Sequence, residues 1–204
     1  MAVAMKDLEI RGAGNLLGGE QSGHIADVGF DLYVRLVGEA VAEYRGETST
    51  EEPEVRIELP VDAHLPHDYL ASERLRLEMY KRLAEVRSLE QVDEVRSELV
   101  DRYGTLPRPV ENLLAVAALR VKARTAGITD VNTQGAYVRF APVDLPDSVR
   151  VRVDRLYPKT VVKPALHSML VPRASTARVG GQPLRDVAVL DWAARVIDDL
   201  VPAR

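Results

Sequence analysis

Between Ser72 and Gly127 the chain carries start and stop signals for three helices in succession, and this block constrains the fold more tightly than any other stretch. Leu75, Met79 and Leu83 recur at helical spacing over residues 72–86. Leu77, Tyr80 and Val86 widen that stripe, and Ser72 is placed to cap it. Ser88-Leu89-Glu90-Gln91 has the capping-box form, in which the serine and the glutamine each satisfy a backbone N–H at the helix start. This predicts a helix from Leu89 to near Arg102, with Val92, Val95 and Leu99 toward the core and Gly104 as its terminator. Pro107 and Pro109 fit a helix start but not its interior, so a third helix begins near Pro109 and runs to about Ala126, where Gly127 ends it.

Strand patterns flank this block. Val55, Ile57 and Leu59 alternate with charged residues, as expected of a strand with one wet face. Beyond Gly127 the strand candidates are 128–132, 136–141, 160–164 and 167–172. The stretch "DSVRVRVDRLYP" is in conflict: its alternation favours strand over 149–153, while its ending in Leu156-Tyr157-Pro158 favours a helix, the reading preferred here. A helix from about Arg185 to Val201 closes the chain, with Val187, Leu190, Trp192, Ala194, Val196, Ile197 and Leu200 as its apolar side. Helices and strands in separate blocks predict an α+β fold, a helical layer packed with a small mixed or antiparallel sheet.

Three zones follow from composition. Residues 1–46 hold a glycine-rich stretch and a helical pattern from Asp31 to Arg45; residues 47–54, "ETSTEEPE", read as an acidic linker; residues 55–204 read as the compact domain. The sequence has no run of apolar residues long enough to cross a bilayer and no signal-peptide pattern, which makes the cytoplasm the expected location and a membrane partner unexpected. It has no cysteine, so thiol chemistry and disulfides are excluded. A net charge of −4 gives the chain no overall basic field, so any contact with DNA must be local.

The stretch "DLEIRGAGNLLGGEQSG" invites a nucleotide-loop reading that its chemistry does not support. Its G-x-G-x-x-x-G spacing misses the dinucleotide fingerprint, and Gly18-Gly19-Glu20 stands where a phosphate-binding loop needs Gly-Lys-Ser/Thr. Arg11, Asn15, Gln21, Ser22 and His24 can all donate to phosphate or sugar oxygens, so the residues alone leave turn and contact both open. His64 and His67, with Asp62 and Asp68 nearby, could be metal ligands, but Pro66 interrupts any helix that would align them, and surface histidines are the reading adopted. No local context for a hydrolytic nucleophile is present. Glu98, Asp101 and Arg102 share one face of the second helix; taken alone they read as a solvated face with a Glu98 to Arg102 pair of about 0.3–0.5 kcal/mol.

"DLEIRGAGNLLGGEQSGHIADVGFDLY" resembles the TRG motif, which follows the last helicase motif in a group of DNA translocases, and its form is closest to that of the bacterial transcription-repair coupling factors. "ELVDRYGTLPRPVENLL" and the tryptophan-bearing last helix are similar to the C-terminal domain of the same family. The resemblance implies a C-terminal piece of a much larger ATP-dependent translocase that displaces stalled RNA polymerase and recruits the repair protein UvrA, with Met1 standing inside the parent. It implies no catalytic residue, metal or cofactor in this chain, with ATP and magnesium bound elsewhere in the full-length protein. Arg11 and Gln21 match the motif residues that couple the motor to duplex DNA. Glu98, Asp101 and Arg102 stand where the family's regulatory domain contacts an N-terminal UvrB-like domain of the same protein and masks the UvrA-binding surface. The alternative is a stand-alone protein-interaction module with no motor role.

Overall fold

The computed structural model describes residues 54–177 and 180–200. Residues 1–46, with Arg11 and Gln21, lie outside the described residues, as does the expected linker apart from Glu54. Within the described residues the order is β1 (Arg56–Glu58), α1 (Glu73–Glu85), α2 (Leu89–Tyr103), α3 (Arg108–Thr125), β2 (Asp130–Gln134), β3 (Tyr137–Ala141), α4 (Asp147–Leu156), β4 (Val161–Lys163), a short 3-10 turn (Pro164–Leu166), β5 (Ser168–Pro172) and α5 (Asp186–Leu200). This is an α+β fold with five helices and a five-stranded mixed sheet.

The helix boundaries follow the local chemistry. Ser72 Oγ accepts from the Leu75 N–H at the start of α1, and Ser88 and Gln91 form the reciprocal capping box at the start of α2. Gly104 and Gly127 end α2 and α3 with φ of 84° and 74°, values that a side chain would strain. Helix α3 buries residues around most of its circumference, as a central helix does, and packs along α5 and against α2.

The sheet order is β1-β2-β3-β5-β4, with β1 parallel to β2 and every other pair antiparallel. The registers align Ile57, Val131, Phe140, Met169 and Val162 in one row across all five strands. That row, with Val138 and Val171 on the same face, is the sheet's contribution to the core, and Phe140 meets Trp192 of α5 edge to face at 6.3 Å. The adjacent row on the other face, Glu58, Asn132, Arg139, Leu170 and Val161, is largely polar and nowhere fully buried, so the helices cover one face only.

Two segments differ in detail from the sequence reading. Residues 147–156 are helical, as preferred, and the alternating valines resolve as a helix would place them: Val149 and Val153 are buried four residues apart, while Val151 is 71% exposed. On α5 the buried side is Val189, Leu190, Trp192, Ala193, Val196, Ile197 and Leu200, whereas Val187 is exposed and Ala194 half-buried. The start of α5 is anchored by Asp186, which adopts φ 53°. Its carboxylate accepts from the Asp62 N–H at 3.0 Å, from Arg108 at 3.1 Å and from Asn112 at 3.4 Å, and its own N–H donates to Pro60. These bonds tie the segment between β1 and α1 to the starts of α3 and α5.

Candidate functional site

The capping box fixes the start of α2, and Tyr69 fixes its end. The Tyr69 hydroxyl donates to the Leu99 carbonyl at 3.0 Å and lies 3.3 Å from the Gly104 carbonyl, so it ties the last turn of the helix and its terminating glycine to the segment before α1. Its ring meets Tyr103 edge to face at 5.9 Å, and burial, followed by its charge interaction with Tyr103, pushes the Tyr69 phenol pKa up. Val92, Val95 and Leu99 are buried beneath, so the opposite side of α2 is held outward at both ends.

Glu98 and Arg102 come together on that outer side. Arg102 donates to Glu98 Oε1 at 2.8 Å, and Arg82, reaching over from α1, donates to Oε2. Both carboxylate oxygens are therefore engaged. Hydrogen bonds from Arg102 and then Arg82 hold the Glu98 carboxyl below the usual glutamate range. Its hydrogen bond to Glu98 pushes the Arg102 guanidinium pKa up, and that group sits 5.3 Å from the centre of the Tyr103 ring. Glu98 thus sits between two guanidiniums, and Glu78 on α1 adds its negative charge near Arg102.

Asp101 is exposed one turn on, and its side chain has no hydrogen-bond or ion-pair partner among the described residues. Val100 beside it is 46% exposed. The three residues picked from sequence thus share an outward arc, but in two states: Glu98 and Arg102 already paired, Asp101 without a partner among the described residues. Sequence reasoning missed Arg82, Tyr69 and Tyr103. Arg82 lies sixteen residues from Glu98 on another helix, and no local pattern links the two. Tyr103 had a signal, being the aromatic immediately before the terminating glycine.

The histidines of "HLPH" do not converge. His64 Nδ1 lies 2.8 Å from Asp62 Oδ1, and His67 is exposed. Among the described residues no group of three His, Cys, Asp or Glu is arranged to hold a metal ion, and no helix is long and apolar enough to cross a membrane.

Comparison with known proteins bears on the whole chain. A family model described as the TRCF domain matches residues 59–149. The Transcription-repair-coupling factor of Mycobacterium bovis is 53% identical over 212 residues, covering 98% of this chain and 17% of that protein, and the Mycobacterium tuberculosis protein of the same name matches to the same extent. The Staphylococcus epidermidis protein of that name is 45% identical over 140 residues, covering 68% of this chain and 12% of that protein. The chain thus spans about a sixth of the length of the mycobacterial relatives. Among solved structures, the "C-terminal domain of transcription-repair coupling factor" superposes with a TM-score of 0.53 at 16% identity, covering 71% of this chain and 93% of that one, a likeness of fold.

Proposed function

Because the chain belongs to the transcription-repair-coupling factor family, we propose that its described domain is a non-catalytic regulatory module that docks on an N-terminal UvrB-like domain of the same protein and masks a UvrA-binding surface. The observation that carries this reading is the outward arc of α2. Glu98 and Arg102 are held by each other, and the Asp101 carboxylate has no partner among the described residues, in a helix whose ends are both fixed. A surface of this kind binds through charge-assisted hydrogen bonds that are individually modest, which suits a contact that must open when the motor engages polymerase. Reversing Glu98 and Asp101 to lysine in the full-length parent is expected to raise UvrA recovery in a pull-down; unchanged recovery counts against masking.

Residues 1–46 serve, on the same reading, to couple ATP hydrolysis elsewhere in the parent to movement on duplex DNA, with Arg11 and Gln21 as the coupling residues. The motif match at those positions supports this role. Arg11→Ala in the parent is expected to preserve ATP hydrolysis and abolish displacement of stalled RNA polymerase, and normal displacement by that variant would sink the assignment.

A second reading has its own support, since the TRCF family model matches residues 59–149, which lie wholly within the described domain. An interaction module acting through this domain alone would keep full function after deletion of residues 1–46, whereas the coupling reading requires that deletion to abolish displacement.

A further inference from the structure

The outer edge of the sheet at β4 carries groups that nothing among the described residues engages. β4 ends the strand order, so its outward backbone groups have no strand beside them among the described residues. The segment that builds this edge also exposes large apolar side chains: Val151 at 71%, Leu166 at 63%, and Leu156 and Val161 close to half. Next to β4 a cleft of about 280 Å³ is lined by Val143, Leu145, Val162 and Pro164, with Arg150 and Asp144 as its charged residues. Asp144 is already held by His167 at 2.6 Å, while the Arg150 side chain has no partner among the described residues.

Carboxylates at this edge are confined to the segment before β4, where Asp144 is paired with His167 and Asp147 and Asp154 lie on α4, while β4 and the chain that follows it are cationic. From Arg155 to Arg185 the sequence contains no Asp or Glu, although the chain has 31 of them and a net charge of −4. Lys163 on β4 and Lys159 just before it are both exposed.

We propose that this edge accepts an extended acidic segment of a partner protein, which adds to the sheet alongside β4. The open backbone groups supply the ladder, Lys159, Lys163 and Arg150 pair with carboxylates of the added strand, and the cleft takes one of its apolar side chains. Lysines on an edge repel a second copy of the same edge, which excludes self-pairing and selects a strand of opposite charge. Nucleic acid would satisfy the lysines but leave the cleft and the exposed valines without an apolar partner. This surface is separate from the arc on α2.

The test titrates the full 204-residue chain with a fluorescent peptide of about ten alternating glutamates and valines, long enough to run past a short strand. Binding is read by anisotropy and placed by amide hydrogen exchange. The expected result is saturable binding, slowed exchange at residues 161–163, and an affinity lower by about tenfold or more in the double variant Lys159→Glu/Lys163→Glu, whose exposed substitutions leave the melting temperature unchanged. Absent binding, protection confined to other residues, equal binding of the peptide with lysine in place of glutamate, or indifference to the double variant would each overturn the proposal. Displacement of the peptide by a duplex oligonucleotide that protects the same residues would overturn it in favour of a nucleic-acid site.

Discussion

The outward arc of α2 and the free edge at β4 both present charge to solvent, yet they are built in opposite ways. On α2 the glutamate is enclosed by two arginines from two helices, so most of the charge is satisfied within the domain. At β4 the cations have no partner among the described residues, and apolar side chains stand exposed beside them. An internally paired surface gains little when a partner arrives, because existing bonds must be exchanged for new ones. An open edge gains backbone hydrogen bonds and apolar burial at once. The first arrangement suits a contact that opens and closes, and the second suits stable addition.

Three substitutions probe that contrast, beginning with the largest effect. Phe140→Ala removes the centre of the apolar row that underlies the whole sheet and its contact with Trp192, and is expected to cost about 3–5 kcal/mol in denaturant unfolding. Because α2 and the sheet share one core, protection of their amides should fall together; retention in α2 alone would show that the two regions are separate units.

Tyr69→Phe acts on α2 only. It removes a hydroxyl that serves the end of the helix and is expected to cost about 1 kcal/mol. Hydrogen exchange should quicken in the last turn of α2 and stay unchanged in β4, and an effect spread across the sheet would break the distinction.

Arg82→Ala has the smallest expected effect on stability, at most about 1 kcal/mol, because the pair is exposed. Its signature lies in titration. The Glu98 carboxyl is held below its ordinary range, so its contribution to the fold is complete above that range and is lost as pH falls through the lowered value. Without Arg82 the Glu98 resonance should titrate closer to an ordinary glutamate while remaining lowered by Arg102. An unmoved titration would mean that Arg82 takes no part in holding the carboxylate.

Much of the fold was legible because its boundaries are written locally. The capping box at Ser88, the proline start near Pro109 and the glycine ends at Gly104 and Gly127 act within a few residues, and each is found in place. The valines of α4 were ambiguous because alternation in sequence fits a strand face, and only the burial of Val149 and Val153 four residues apart distinguishes the helix. The parallel pairing of β1 with β2 joins strands separated by three helices, a relation that no local signal encodes. At the candidate site, i and i+4 spacing revealed Glu98 and Arg102, whereas Arg82 enters through the packing of α1 on its neighbours. Arg11 and Gln21 lie outside the described residues, so their role rests on the motif alone.

The most direct test of the regulatory reading is binding of this chain, followed by titration calorimetry, to the N-terminal UvrB-like domain that the proposal assigns to the full-length protein. The account predicts a measurable complex that is lost when Glu98 and Asp101 are both changed to lysine and weakened less by Lys159→Glu/Lys163→Glu. A complex indifferent to the α2 reversal, or no complex at all, would contradict it.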